Sequence, residues 1–386
     1  MVGRERIYVD NAATTRVDPA VLAEMLPYFT QGYGNPSSLH IPGENAREAI
    51  DGAREIVAAK INASPEEIVF TSGGSESDNL ALKGIAYGLK HEGDHIITSQ
   101  IEHPAVLNTC KSLEKDGFRV TYLPVDGQGF VDRKALDQAI DEKTLLVSIM
   151  HANNEIGTIQ DIREIGKVCS ENDVLFHSDI VQSFTKVPID VKTANIALAS
   201  CSSHKIHGPK GVGGLFVRED VKRKMRRMID GGGQEYGLRA GTENVPGIAG
   251  FGKAVELVKE EEIKKMIPVR DYLITEALKL PDSFLNGPPG DARLPNNVNV
   301  SFKHIEGESI LLMLDAKGVS VSTGSACSSK SLDPSHVLTA IGRRPEESHG
   351  SVRMTLSRYN TMEEARIVAE ALTEVVEKLR KMSPFT

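Results

Sequence analysis

The sequence predicts an α/β fold with a largely parallel sheet, followed by a smaller α+β domain. Two observations carry this prediction. Short apolar runs of strand type alternate with amphipathic helical stretches through the first two-thirds of the 386 residues, which is the pattern of parallel strands joined by crossover helices. From about residue 263 this pattern changes to charged helical stretches with a single alternating strand pattern, so we expect a second domain there.

The individual elements follow from local periodicity. Apolar runs with polar ends predict strands, whereas apolar residues at helical spacing between them predict helices. The predicted strands are 68–71, 95–99, 145–150, 174–178 and 196–199, and the predicted helices are 77–89, 105–115 and 133–140. Ligands of such sheets bind at the carboxyl ends of the strands, so motifs at those ends are candidates for function.

The C-terminal part is predicted in the same way. Thr361 and Glu364 have the spacing of a capping box and predict the start of a closing helix. The preceding segments are a helix at 263–280, a Pro/Gly-rich connection at 287–290, a strand at 298–302 and a helix at 309–316.

Composition and charge limit the function classes. The net charge of −8 without an extended basic patch argues against nucleic-acid binding. No apolar run approaches the roughly 20 residues that a membrane span needs, and the first residues lack the layout of a signal peptide. Four cysteines (Cys110, Cys169, Cys201 and Cys327) are widely spaced and form no Cys-x-x-Cys pair. We therefore expect no membrane and no disulfide scaffold, a cytoplasmic location, and structural burial of the first three.

The most informative segment is 202–211, Ser-Ser-His-Lys-Ile-His-Gly-Pro-Lys-Gly, which follows a predicted strand. Lys205 at the end of a buried strand, next to His204, suits an amine that forms a Schiff base, because burial and nearby cations lower the pKa of a lysine. Taken alone, the segment is equally compatible with a surface turn.

A second glycine-rich turn joins a predicted strand to a helix at 70–77, Phe-Thr-Ser-Gly-Gly-Ser-Glu-Ser. Exposed amides at a helix N-terminus, here at Gly74 and Ser75, form an anion site that suits a phosphate. Many turns of this type bind nothing. The chain has no Walker loop and no Gly-x-Gly-x-x-Gly, which removes the main support for ATP or dinucleotide binding.

Three polar residues end other predicted strands. Asp179 follows a buried strand, where an acid could pair with the protonated pyridine nitrogen of pyridoxal phosphate (PLP); a helix cap is the alternative. His103 ends another strand and is either structural or catalytic. Asn154, in the polar segment 151–157, could donate to a cofactor or to a substrate carboxylate, or could simply form a turn.

The remaining candidates lie in the second half of the chain. Thr242 belongs to a second glycine-rich loop. Cys327 stands among small polar residues in 322–329, where an exposed thiol is a liability unless its thiolate is used. Arg353 interrupts a predicted strand, and a half-buried arginine suits capture of a carboxylate; a surface ion pair is the alternative.

Together and in this order, these segments closely resemble cysteine desulfurases of the NifS/IscS type, in the subgroup with the longer cysteine loop. The resemblance extends from 8–15 to the final helix, with further matches at 34–38 and 231–235. It implies the aspartate-aminotransferase type (fold type I) of PLP enzyme, with a mostly parallel seven-stranded sheet in the large domain. It also implies a homodimer with active sites at the subunit interface.

The resemblance divides the chain into two domains. The large, PLP-binding domain would comprise 15–260. The small α+β domain would comprise 1–14 and 261–386, and would carry the loop of Cys327.

By the same resemblance, Lys205 is the Schiff-base lysine, His103 stacks on the cofactor ring and takes part in proton transfer, and Asp179 and Gln182 hold the pyridine nitrogen and the ring hydroxyl. Asn154 and Arg353 hold the substrate carboxylate. The residues implied around the cofactor phosphate are Gly74, Ser75, Ser202, His204 and, from the partner subunit, Thr242. Ser203, where relatives often have Gly or Ala, counts with the cofactor-binding residues through its hydroxyl or its backbone.

The implied activity converts L-cysteine to L-alanine and transfers the sulfur to Cys327 as a persulfide. The implied use is iron–sulfur cluster assembly, with tRNA thiolation as a further one, so a scaffold protein or another sulfur acceptor is the expected partner. No resident metal is expected, although Cys327 could ligate a cluster on a bound scaffold.

Three other functions remain open from the sequence. A selenocysteine lyase or an aminotransferase would share the fold and Lys205, but an aminotransferase has no need of Cys327. A sulfur-relay protein without turnover would need none of Lys205, Asp179 and His103.

Overall fold

The structure is a computed structural model that describes residues 6–323 and 334–383. Its strands, numbered in chain order, are β1 (Ile7–Tyr8), β2 (Ile68–Thr71), β3 (His95–Ser99), β4 (Arg119–Leu123), β5 (Thr144–Ser148), β6 (Leu175–Asp179), β7 (Leu198–Ser202), β8 (Gly213–Val217), β9 (Ser283–Leu285), β10 (Asn297–Phe302), β11 (Val319–Ser320) and β12 (Ser351–Thr355).

The helices begin mostly at side-chain caps or at prolines, which satisfy or tolerate the unpaired amides of a first turn. They are α1 (Pro19–Met25), α2 (Pro27–Thr30), α3 (Ile41–Ala59), α4 (Gly74–Gly88), α5 (Pro104–Lys115), α6 (Arg133–Ala139), α7 (Ile162–Glu171), α8 (Glu219–Lys222), α9 (Val245–Glu256), α10 (Glu260–Leu278), α11 (Gly307–Ala316), α12 (His336–Ala340), α13 (Pro345–His349) and α14 (Met362–Met382).

Seven strands form one sheet in the order β2-β8-β7-β6-β5-β3-β4. Adjacent strands are parallel except where β8 pairs with β2 and β7. Both faces are packed: Ile68 and Phe70 belong to one apolar cluster, and Val69 between them belongs to another, as expected where successive side chains alternate. The predicted α/β fold with a mostly parallel seven-stranded sheet is confirmed.

A third apolar cluster lies against two smaller sheets. Strands β9, β10 and β12 pair antiparallel, and β1 pairs with β11 in parallel. This cluster draws on Ile7 and Val9 and on residues between 266 and 376. The predicted domain boundaries, 15–260 against 1–14 with 261–386, stay a prediction.

Element boundaries differ from the prediction at several places near the cavity described below. Strand β7 extends from Leu198 to Ser202, where the sequence predicted 196–199, and β5 ends at Ser148 rather than at 150. Helix α4 begins at Gly74 rather than near 77, because apolar spacing starts only after its glycine and serine turn. Strand β6 includes Asp179, which the sequence placed just beyond the strand. The capping box at Thr361 and Glu364 is present as predicted. In residues 6–323 and 334–383, no helix has the length and apolar character needed to cross a membrane.

Candidate active site

A cavity of about 820 Å³ opens at the carboxyl ends of β2, β6 and β7. The predicted residues that line it are Gly74, Ser75, His103, Asn154, Asp179, Gln182, Ser202, His204, Lys205 and Arg353. Residues that are spread along the chain from Gly74 to Arg353 thus line one cavity, at the place where an open α/β sheet binds its ligands.

Lys205 ends a short 3₁₀ turn that directly follows β7. Its Nζ donates to the carbonyl oxygens of Ala12 at 2.6 Å and of Ala13 at 2.8 Å. The backbone of the same N-terminal segment is also held, since the Thr15 amide donates to the His204 carbonyl at 2.9 Å. These contacts fix the amine at the cavity wall.

The turn between β2 and α4 forms one end of the cavity. Gly73 caps α4 with φ of 152°, a conformation that favours glycine, and a Cβ on Gly74 would lie 2.8 Å from Val181 Cγ2. The first amides of a helix have no intrahelical acceptor. Opposite them, the Ser202 Oγ is buried without a hydrogen-bond partner among the described residues. This cradle of unpaired donors fits a phosphate group.

Asp179 ends β6 on the cavity wall and is 5% exposed. Its Oδ1 accepts from the Val181 amide at 2.8 Å. Burial raises the pKa of Asp179 to about 6, opposed by that amide and by the charge of Lys205. Gln182 lines the same cavity and donates through Nε2 to the Ala12 carbonyl at 3.1 Å.

His103 is the N-cap of α5, and its Nδ1 accepts from the Ala105 amide at 3.1 Å. The neutral ring therefore carries its proton on Nε2. Burial, with the Lys205 charge, lowers the pKa of His103 to about 4. His103 is thus a neutral imidazole near pH 7, able to donate at Nε2.

Arg353 is buried in β12 and also lines the cavity. Its Nη2 donates to Asp10 Oδ1 and its Nη1 to the Asn154 carbonyl, both at 3.0 Å. The Nε has no hydrogen-bond partner among the described residues although it is buried. An unpaired guanidinium donor at the cavity is suited to a carboxylate ligand.

Two predicted residues, Ser203 and Thr242, do not line this cavity, and a third, Cys327, is not among the described residues. Ser203 is fully buried, and a Cβ on Gly208 would lie 1.9 Å from its Oγ, so its side chain packs against that turn and not along the cavity. Thr242 is exposed and does not line the cavity of its own chain. Cys327 lies outside the described residues. The roles of all three stay predictions.

The sequence reasoning missed other residues of the site. Asp10 pairs with Arg353 from 343 positions away, a separation that no local pattern reveals. Asp78 and His336 also line the cavity. The Nε2 of His336 donates to the Glu102 carbonyl at 3.0 Å.

Glu102 is a fully buried acid next to His103. Its Oε1 accepts from Ser99 Oγ at 2.6 Å and from the Met150 amide at 3.0 Å. Burial nevertheless raises the pKa of Glu102 to about 8. The folded protein therefore holds this proton at neutral pH, where an unfolded chain releases it.

We expect Glu102→Gln to raise the free energy of unfolding relative to wild type, and to do so more at pH 8 than at pH 5. The glutamate of the unfolded chain loses its proton near the ordinary pKa of 4.5, and that of the folded chain only near a pKa of about 8. Wild-type stability thus falls between these values with a slope of up to about 1.4 kcal/mol per pH unit. The variant has no carboxyl group at this position, so its free energy of unfolding does not fall for this reason.

Urea unfolding at both pH values measures this difference. Glu114→Gln, at an exposed position of α5, is the matched control for the same substitution on the protein surface. An equal difference at both pH values for Glu102→Gln would contradict the raised pKa.

Comparison with known proteins agrees with this geometry. The family model described as aminotransferase class-V matches residues 7–368. A protein of Methanosarcina thermophila named cysteine desulfurase IscS is 54% identical over 383 residues, covering 98% of this chain and 94% of the relative. Its namesake from Dictyoglomus turgidum is 51% identical, covering 99% and 97%.

Solved structures give the same answer. A NifS-like protein superposes with a TM-score of 0.90 at 41% identity, covering 97% of this chain and all of that one. A structure titled SspA in complex with cysteine has a TM-score of 0.83 at 42% identity, covering 92% of this chain and all of that one.

The phosphate cradle, the buried Asp179 and the Lys205 amine fit PLP, the cofactor of this family. Matches across nearly the whole chain, together with this cavity, lead to one assignment: the protein belongs to the aminotransferase class-V family and, within it, to the PLP-dependent cysteine desulfurases.

Proposed function

We propose that this protein converts L-cysteine to L-alanine and passes the sulfur to Cys327 as a persulfide, for use in iron–sulfur cluster assembly. The observation that carries the proposal is the placement of the Lys205 amine and the Arg353 guanidinium in one cavity with Asp179. A primary amine, a carboxylate receptor and an acid for a pyridine nitrogen are the groups that amino-acid chemistry on PLP requires.

Each residue has a distinct task. Arg353 and Asn154 bind the substrate carboxylate and so orient the amino acid. When bound, PLP supplies an electron sink for the bond broken at the α-carbon. Lys205, held beside Ala12 and Ala13, takes the α-proton as a general base. His103 is neutral and carries its proton on Nε2, so it takes part in proton transfer as a donor.

The sulfur step needs a thiolate. Cys327 Sγ attacks the substrate sulfur, the sulfur–carbon bond breaks, and the electron pair of that bond returns to the carbon skeleton, which is protonated to alanine. A thiol reductant or an acceptor protein then removes the persulfide sulfur. We propose an iron–sulfur scaffold protein as that acceptor, with tRNA thiolation as a further use, and the cytoplasm as the location.

The test is a product assay. The PLP-loaded protein with L-cysteine and a dithiol should release alanine and sulfide in equal amounts. Transfer of the amino group to a 2-oxo acid without release of sulfide would contradict the proposal and would indicate an aminotransferase. A strong preference for selenocysteine in kcat/KM would replace it by a selenocysteine lyase.

We also propose that the protein is a homodimer in which Thr242 reaches the phosphate in the partner subunit. One segment carries an unusual set of exposed apolar side chains, and exposed patches of this kind mark interaction surfaces. They are Leu22, Leu26, Phe29, Tyr33, Leu39 and Ile41, with Leu39 90% exposed.

Sedimentation equilibrium should give twice the chain mass of 41.9 kDa. The double variant Tyr33→Glu with Leu39→Glu should sediment as a monomer, because two buried charges oppose association. Ile367→Glu, at an exposed apolar residue of α14, is the control and should stay dimeric. A wild-type monomer would contradict the homodimer while leaving the product assay to decide the activity.

A further inference from the structure

Glu155 is a buried acid in the wall of the cofactor cavity that takes no part in the steps proposed so far. It lines the cavity beside Asn154 and is 5% exposed. Its Oε2 accepts a hydrogen bond from Ser335 Oγ at 2.6 Å. Burial raises the pKa of Glu155 to about 7, opposed by that hydroxyl and by the charge of Arg353. Glu155 thus joins the cavity wall to a residue 180 positions away in the chain.

The turn that carries Glu155 is itself well fixed. The Glu155 amide donates to Asn153 Oδ1 at 2.9 Å, and the Glu155 carbonyl accepts from Asn297 Nδ2 and Asn299 Nδ2, both at 3.0 Å. The two asparagines belong to β10, which pairs with β12 so that Asn299 lies opposite Arg353. The backbone at Glu155 is therefore held in place relative to the strand of the proposed carboxylate receptor.

The chain on either side of Cys327 is attached to this same wall. Five residues before Cys327, the Ser322 amide donates to the Arg353 carbonyl at 3.0 Å, and the Arg353 amide donates to the Ser322 carbonyl at 2.7 Å. Eight residues after Cys327, Ser335 binds Glu155. Arg353 and Glu155 both line the cavity. The described ends of the segment that contains the proposed sulfur acceptor thus both lie beside the substrate site.

The second of these attachments is made at the start of α12. Ser335 is the N-cap of this helix, and its Oγ accepts from the Leu338 amide at 3.3 Å. The adjacent His336 donates through Nε2 to the Glu102 carbonyl at 3.0 Å. A hydroxyl can accept and donate at the same time, so the Ser335 side chain caps α12 while it donates its proton to Glu155.

We propose that Glu155 is a positioning residue for the sulfur step: through Ser335 it holds the chain that follows Cys327 in place relative to the bound substrate. This inference rests on the proposed persulfide role of Cys327. Attack of a thiolate on the substrate sulfur requires the two sulfur atoms in contact, and a small misplacement of a reacting group costs a large factor in rate. Loss of the bond between Glu155 and Ser335 should therefore slow sulfur transfer while Lys205 still removes the α-proton.

The test compares these two events in one reaction of the PLP-loaded protein with L-cysteine and a dithiol in deuterium oxide. Deuterium at the α-carbon of the recovered cysteine reports the proton step, and alanine reports the completed sulfur step; NMR measures both. Glu155→Ala should form alanine about tenfold more slowly than wild type and should raise the ratio of exchange to alanine by a similar factor. A merely structural defect would lower both events and leave their ratio unchanged, which would overturn the proposal.

Further variants make the test specific to the hydrogen bond. Glu155→Gln keeps an acceptor for the Ser335 hydroxyl and should keep a nearly wild-type ratio. Ser335→Ala should raise the ratio, and the double variant with Glu155→Ala should match it, because two residues that act through one bond are not additive. Thr361→Ala, which removes the N-cap of α14, is the control for loss of a cap and should keep the wild-type ratio.

Two results would overturn the positioning role even if the ratio changes. Additive effects of Glu155→Ala and Ser335→Ala would show that the two residues act separately. A Glu155→Gln protein as impaired as Glu155→Ala would show that the negative charge acts, through Arg353, and not the hydrogen bond.

Folding and the proposed function are checked separately. Thermal unfolding and the absorbance of bound PLP identify a variant that does not fold, and Ser335→Ala decides the proposal if Glu155→Ala is such a variant. Cys327→Ala should exchange the α-hydrogen and form almost no alanine. A wild type that forms no alanine, or a wild-type ratio in Cys327→Ala, would contradict the proposed function and this inference with it. An active wild type with unchanged ratios in Glu155→Ala and Ser335→Ala would overturn the positioning role alone.

Discussion

Replacing Lys205 by alanine should reduce alanine formation from L-cysteine by about a thousandfold, the scale on which a positioned general base contributes. The amine is held at the cavity wall by two backbone carbonyls at 2.6 and 2.8 Å. The phosphate cradle and Asp179 lie on other elements. The variant should therefore still bind PLP while it loses turnover.

Two measurements make this prediction specific. Borohydride reduction of the wild-type protein followed by peptide mass spectrometry should locate the cofactor on Lys205, and a small primary amine should restore part of the activity of Lys205→Ala. Lys210→Ala, an exposed lysine five residues later, should behave as wild type. Turnover close to wild type in Lys205→Ala would remove this residue from the chemistry.

Local patterns predicted the α/β class and five of the seven strands of the large sheet, whereas β4 and β8 were not predicted and the number of seven strands came from the family resemblance. Strands β2 and β3 were predicted at their observed bounds because each has an apolar centre with polar residues at one or both ends, and both strands are buried along their whole length. The start of α14 followed from its capping box. Other bounds differed by one to three residues, both beside the cavity, where α4 begins at Gly74 and β6 includes Asp179, and away from it, as at the start of α10.

The site was predictable only in part, and the limit is physical. Lys205, Asp179 and Gly74 each end or follow a strand, so the sheet brings them together. The pair of Arg353 with Asp10 joins the two ends of the chain, and its partners are determined by tertiary packing alone. Asp78 shows no signal in the sequence, because an acid in a helix is ordinarily a solvated residue.

Replacing Cys327 by alanine should abolish sulfide release, by about a thousandfold or more, since the step loses its nucleophile. The other three cysteines cannot take over. Cys110, Cys169 and Cys201 are buried, and burial raises the pKa of each thiol to about 12. A thiol that stays protonated at neutral pH is a poor nucleophile.

The comparison needs a cysteine that is buried and remote from the cavity, and Cys169→Ala on α7 is that control. It should keep wild-type turnover. Cys327→Ala should keep its yellow cofactor, because the PLP contacts lie on other residues. A single turnover of wild type without reductant should add one sulfur atom to the peptide that contains Cys327 and to no other. Sulfide release at the wild-type rate from Cys327→Ala would show that Cys327 is not the sulfur acceptor. It would favour direct release of the sulfur, as in a lyase.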